Sequence, residues 1–234
     1  MTAASEYMDK DKPILETRAA TKIYGEGAAK VLALESASVT LAQGEVLLIM
    51  GPSGSGKTTL LSIMGCILRP TSGDVLVHGR NIGACDEREL ANIRRRYFGF
   101  VFQSFNLFSS LTAQENVEVV LRMKGRSTQK VHAEAAHLLE RVGLARRAHA
   151  YPRDLSGGEK QRTAIARALA GDPPIILADE PTANLDSRTG RGILQLLRDH
   201  AKELHKAVAI VSHDPKVEEM AHRVIYLEDG RLKP

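Results

Sequence analysis

Apolar residues run unbroken at Val46–Met50 and again at 175–178, and they recur with helical spacing at 58–67, 114–123, 129–142 and 188–204. Unbroken runs of that length predict strands buried on both faces, and the longer periodic stretches predict amphipathic helices. Alternating or β-branched stretches at 14–23, 31–34, 37–41, 74–78, 98–102, 208–211, 224–227 and 231–232 predict further strands. Turn residues at 25–28, 43–44 and 71–73 separate the early ones. Helices are also expected at 157–170 and 216–220. The order is strand, glycine loop, helix, then a largely helical middle at 86–143, then strand and helix in alternation. That order predicts an α/β fold with a mainly parallel core sheet and a helical lobe inserted between its two halves.

Length and composition narrow the class. A chain of 234 residues with 43% apolar composition can bury a full core without staples. Its two cysteines, Cys66 and Cys85, support no disulfide framework, and the first residues lack a basic segment followed by an apolar run, so no secretory signal is expected. No apolar stretch approaches the roughly 20 residues needed to cross a bilayer. Any membrane role is therefore expected to come through a partner. The net charge is +4, the basic clusters 94–96 and 146–147 are short, and aromatics are only 4% of the chain. Binding of nucleic acid is not expected from this pattern, because such sites concentrate cations on one face and add aromatics for stacking. The two clusters read as solvated surface.

Candidate chemistry begins with GPSGSGKTT, from Gly51 through Pro52, Ser53, Gly54, Ser55, Gly56, Lys57 and Thr58 to Thr59. Glycine there lets the backbone take positive φ and turn its amides inward, while the following helix offers unpaired donors and partial positive charge to phosphate. Lys57 is placed to reach the β and γ phosphates of a bound nucleotide, and the Thr58 hydroxyl to ligate Mg²⁺. The second apolar run ends in two carboxylates, Asp179 and Glu180. Carboxyl ends of parallel strands form the ligand crevice of such folds, which sets this pair beside the phosphate loop. Neighbouring strand positions point differently, so Asp179 can face Mg²⁺ while Glu180 orients and deprotonates the attacking water. On its own the pair would better suit an acidic turn into Pro181, and the phosphate loop beside it reverses that preference.

A second segment, LSGGEKQR at 155–162, admits two readings. Ser156 and Glu159 have the spacing of a capping box. Yet Gly157 and Gly158 would fill the first turn, where each weakens the helix by up to ~1 kcal/mol relative to alanine. Two glycines, a serine hydroxyl and free amides at a positive helix end make an anion site open to close approach. The chain's own phosphate loop already holds one side of its nucleotide, so the second side points to another subunit.

These motifs, in this order and over nearly the whole length, resemble the ATP-binding subunits of ABC transporters. The resemblance implies a phosphate-loop ATPase fold of ABC type, with an N-terminal antiparallel β subdomain added to the parallel sheet and the inserted lobe. It implies a single domain over 1–234, its core split into 1–97 and 171–234 around the glutamine loop, helical lobe and signature helix at 98–170. Gln103 matches the family's glutamine that senses Mg²⁺ and water, His213 the switch histidine at the γ phosphate, Asp186 the D-loop aspartate, and Tyr24 the aromatic that stacks on adenine. ATP and Mg²⁺ are the implied ligands, and a homodimer closing on two ATP is the implied assembly. Departures are small: Glu159 stands where many members carry glutamine, and Ala183-Asn184 varies the D-loop.

The stretches at 94–121 and 176–187 look most like the lipoprotein-release, macrolide-export and cell-division branch (LolD, MacB and FtsE-like proteins). That likeness implies a membrane permease partner with few transmembrane helices and an extracytoplasmic domain. The chain is then a peripheral subunit at the cytoplasmic face of the inner membrane, driving export or extraction of a lipoprotein, peptide or drug. The alternatives are a regulatory ATPase of cell-division type acting with a membrane partner and a soluble ATPase of DNA repair or translation. The latter relatives carry long coiled coils or paired ATPase units, and neither is found in this sequence.

Overall fold

The computed structural model describes residues 13–183 and 185–233. Residues 1–12, read above for a targeting signal, and Asn184 of the D-loop lie outside them.

Two sheets frame the molecule. Strands β1 (Leu15–Tyr24), β2 (Val31–Leu41), β4 (Ser72–Val77) and β5 (Arg80–Asn81) form an antiparallel sheet in the order β2-β1-β4-β5. Strands β3 (Val46–Met50), β6 (Phe98–Val101), β7 (Ile175–Asp179), β8 (Ala207–Val211), β9 (Arg223–Glu228) and β10 (Arg231–Leu232) form the second sheet. Its order is β10-β9-β3-β8-β7-β6, parallel except where β10 pairs with β9. Every residue of β3, β7 and β8 is buried, as their unbroken apolar runs require.

Period-2 geometry divides those three strands between two cores. Leu47, Ile49, Ile175, Leu177, Ala207 and Ala209 face a cluster shared with the antiparallel sheet and helix α1 (Lys57–Met64). Val46, Leu48, Ile176, Ala178, Val208 and Ile210 face a second cluster, shared with the helical lobe and with α6 (Ser187–Leu204). The lobe consists of α3 (Ala113–Met123), α4 (Thr128–Arg141) and α5 (Gly157–Leu169), inserted between the paired neighbours β6 and β7.

Several elements depart from the expectations above. The segments 31–34 and 37–41 are one strand, because the polar Glu35-Ser36 step is a bulge in the ladder and not a break. Ser36 and, at a second irregularity on β1, Ala19 take left-handed φ values of 48° and 46°. Side chains replace the lost ladder bonds: the Ser36 N–H donates to Thr21 Oγ1 at 3.0 Å and the Ala19 N–H to Ser38 Oγ at 2.9 Å. Helix α1 stops short of residue 67, since Cys66 turns left-handed at φ 57° and its N–H closes on the Ile63 carbonyl at 3.0 Å. The helical insert starts later than residue 86: helix α2 (Glu87–Tyr97), within the 1–97 part, packs Leu90 and Ile93 into the cluster shared with α1. The segment Pro215–Met220 is a 3-10 turn started by Pro215 and capped by Asp214.

The basic clusters are also less free than a solvated reading allows. Arg94 donates to the Cys66 carbonyl at 2.7 Å and pairs with Glu87, while Arg147 pairs with Glu159 at 3.0 Å.

Candidate nucleotide site

Four loops leave the carboxyl ends of the consecutive strands β3, β8, β7 and β6, and they meet around one cavity of about 450 Å³. Along that edge they bring in, in turn, the phosphate loop, His213, the Asp179-Glu180 pair and Gln103. The order in space differs from the order in sequence, because strand β8 is laid between β3 and β7.

Backbone conformation shapes the phosphate loop. Gly51 has φ 149°, and a Cβ there would sit 1.9 Å from the Leu227 carbonyl oxygen. Gly56 has φ 99°, and a Cβ there would sit 2.4 Å from the Ala33 oxygen. Both positions exclude any side chain. Gly56 is also the N-cap of α1 and offers no side-chain acceptor to the first-turn amides. The Lys57 ammonium lies across the loop, donating to the Gly51 and Pro52 carbonyls at 2.8 and 2.7 Å. Ser53, Gly54, Gly56, Lys57, Thr58 and Thr59 all line the cavity, while Ser55 is buried beneath it.

Across the cavity, the Thr58 hydroxyl donates to Asp179, 3.0 Å from Oδ2 and 3.2 Å from Oδ1. Burial pushes the Asp179 carboxyl above its ordinary range, and the neighbouring Glu180 charge adds to the rise against the opposing Thr58 bond. Adjacent hydroxyl and carboxylate oxygens suit a hard cation that keeps most of its ligands from phosphate and water. Among the described residues, no group of three or more His, Cys, Asp or Glu side chains forms a metal cage.

Glu180 takes the left-handed conformation at φ 50°, rare for a residue of its type, with its N–H donating to the Val211 carbonyl at 2.9 Å. That turn aims its buried side chain at His213, whose Nδ1 lies 2.7 Å from Glu180 Oε1. Gln103 is exposed at the cavity mouth, and the next turn carries left-handed Phe105 and Asn106. Arg167 of α5 holds this turn, donating to the Phe105 carbonyl at 2.7 Å and also to the Asn106 carbonyl. Nothing in the sequence signals Arg167, which sits in the lobe far along the chain. Ala33 and Val211, which also line the cavity, carry no sequence signal either.

The remaining site candidates stand apart from this cavity. Ser156 is the N-cap of α5: its Oγ accepts the Glu159 N–H at 3.2 Å, and Glu159 Oε2 accepts the Ser156 N–H at 2.8 Å. The capping box is thus formed, and Ser156, Gly157 and Gly158 do not line the cavity that holds Lys57 and Glu180. Asp186 caps α6, accepting the Arg188 and Thr189 N–H groups at 3.0 Å each, and borders a different cavity of about 740 Å³. Tyr24 ends β1 with 43% of its surface exposed, Lys22 Nζ standing 5.4 Å from its ring centre.

Comparison with known proteins supports the same reading. The family model described as ABC transporter matches residues 34–183. An uncharacterized ABC transporter ATP-binding protein of Thermotoga maritima is 46% identical, over 95% of this chain and 94% of its own length. The macrolide export ATP-binding/permease protein MacB of Hyphomonas neptunium is 43% identical over 94% of this chain, which spans only 34% of that protein. The ATP-binding cassette MJ0796 of Methanocaldococcus jannaschii, solved as a dimer in a post-hydrolysis state bound to ADP and Pi, superposes with a TM-score of 0.90. It is 45% identical, over 94% of this chain and 97% of the solved one. With the phosphate loop, the paired carboxylates and the histidine gathered at one sheet edge, these likenesses mean that the chain belongs to the ABC transporter family, as an ATP-binding ATPase domain of the branch that includes the macrolide-export proteins.

Proposed function

We propose that this chain is the ATP-hydrolysing subunit of an export or extraction system, working as a homodimer that closes on two ATP and drives a membrane permease. The observation that carries the dimer is the separation within one chain of Ser156 from the cavity lined by Lys57 and Glu180. An exposed capped helix start with two glycines is then free to meet the phosphate held by a second copy. The permease partner is supported by the MacB proteins, whose names join ATP binding to a permease and of which this chain spans about a third. Its membrane half is proposed to have few transmembrane helices and an extracytoplasmic domain, with this chain peripheral at the cytoplasmic face. No helix among the described residues is long and apolar enough to cross a membrane.

The residues divide the work as follows. The phosphate-loop amides from Gly51 to Thr59, with Lys57, hold the β and γ phosphates, and Tyr24 stacks on adenine. Thr58 and Asp179 hold Mg²⁺ with help from Gln103; when bound, the ion neutralises charge on the phosphate oxygens. Glu180 orients the attacking water and takes its proton, and His213, in contact with Glu180, meets the γ phosphate. Ser156, Gly157 and Gly158 of the partner copy close over that phosphate, and Asp186 links the two sites. Closure by phosphate charge and release after hydrolysis is a recognised switching mode.

Mixing two inactive full-length variants tests the composite site. Lys57→Ala and Ser156→Arg chains, each inactive alone, should regain ATP turnover when mixed, since the mixed dimer contains one intact pairing. No recovery on mixing, or full turnover by a monomer, overturns the proposal.

A further inference from the structure

Glu159 presents a problem of charge. A carboxylate in the first turn of α5 favours the helix, because it faces the positive end of the helix dipole. The same place is where the proposed function needs an anion to dock. A fixed negative charge beside an incoming phosphate opposes the closure that the two glycines and Ser156 allow.

The structure answers with Arg147. It stands on a 3-10 turn at Ala145–Arg147, outside α5, and its Nε lies 3.0 Å from Glu159 Oε1. Its Nη2 donates to the Asp154 carbonyl, on the turn that leads into the signature segment. Both Glu159 oxygens are thereby engaged, Oε1 by Arg147 and Oε2 by the Ser156 N–H. The Ser156 N–H, with Arg147 adding to it, holds the Glu159 carboxyl below the usual range, so its charge is present at neutral pH. The Ser156 oxygen accepts from the Glu159 N–H, which leaves its own O–H available to donate outward.

Building on the proposed function, we propose that Arg147 is a positioning residue and counter-charge that makes an acidic signature motif compatible with phosphate. It cancels the Glu159 charge and ties the approach turn through Asp154. Glutamine at 159 would not require this partner. As an exposed ion pair it adds little to stability, since side-chain exposures of 42% and 21% leave it screened. Its effect belongs to ATP-dependent closure.

The test compares full-length wild type, Arg147→Ala, Glu159→Gln and the double variant for ATP hydrolysis and ATP-dependent dimerisation, at low and high salt. Arg147→Ala should raise the apparent KM for ATP about fivefold to tenfold, from unmasking one charge near another, with a much smaller change in kcat. The defect should shrink in high salt. Adding Glu159→Gln should restore the KM to near wild type, a rescue that a purely structural role for Arg147 does not predict. Glu159→Gln alone should lower the KM, because Arg147 is then free to attract phosphate. The inference fails if the double variant is as impaired as Arg147→Ala, or if Arg147→Ala matches wild type. Should Arg147→Ala not fold, the single Glu159→Gln variant decides: a raised KM overturns the idea. If the Lys57 and Ser156 variants complement each other while this rescue fails, only the inference falls. If that complementation fails, the proposed function falls first.

Discussion

Glu180 and His213 meet at 2.7 Å only because Glu180 bends into the left-handed region at the end of its strand. An extended residue there would continue β7 and send its side chain elsewhere. Such an outlier is held in place by its surroundings, here the 2.9 Å bond from the Glu180 N–H to Val211, and it marks a site of function.

Glu180→Gln keeps the shape of that contact and removes the proposed base. The variant should bind ATP normally, lose turnover by roughly 10²- to 10⁴-fold, and accumulate as an ATP-held dimer. Single-turnover hydrolysis with size-exclusion chromatography reads both effects, and unchanged turnover would exclude Glu180 as the base.

Lys57→Ala removes a cation whose resting partners are the two loop carbonyls. Loss of charged hydrogen bonds to phosphate, about 1.5–3 kcal/mol, should weaken nucleotide binding some ten- to a hundredfold. Calorimetric titration of ATP measures it, and wild-type affinity would contradict the phosphate-loop assignment.

Gly51→Ala drives a methyl into the Leu227 carbonyl and strains a backbone that only glycine adopts easily. Stability should fall by about 2 kcal/mol or more, read as a lower urea midpoint at unchanged slope. A midpoint equal to wild type would mean that the loop and β9 shift apart without cost.

Asp179 has the opposite balance. Its carboxyl is raised above the unfolded value by burial first and Glu180 second, so folding favours its protonated form. The resulting stabilisation is complete below the unfolded pKa and is lost as pH rises through the folded one. At neutral pH the ion-free protein therefore carries the cost of a buried charge. Asp179→Asn should raise the melting temperature of that protein at pH 7 and lose most of the gain in acid, while abolishing Mg²⁺-dependent hydrolysis. A melting temperature that falls at pH 7 would show that the Thr58 bond outweighs burial.

The sequence makes much of the architecture legible because short-range rules governed it. Unbroken apolar runs became β3, β7 and β8, and the glycines at 51 and 56 stand where backbone meets backbone. The Ser156 and Glu159 spacing became a real capping box. What stayed hidden depended on distant partners. The Glu35-Ser36 step reads as a break until the Thr21 hydroxyl is seen to bridge it. The helical run that begins at residue 86 reads as continuous with the lobe's helices until Leu90 and Ile93 are placed in the core.

From the sequence alone came most of the strands, the phosphate loop, the acidic strand end and the family, since each is written in neighbouring residues. Tertiary structure alone decided that β8 lies between β3 and β7, setting His213 beside Glu180, and that Arg167 and Arg147 reach across to the turns at Phe105 and Asp154. Periodicity and turn chemistry are local properties of a chain. Strand order and the partners of a long cationic side chain are settled only when separate segments compete for the same buried edge.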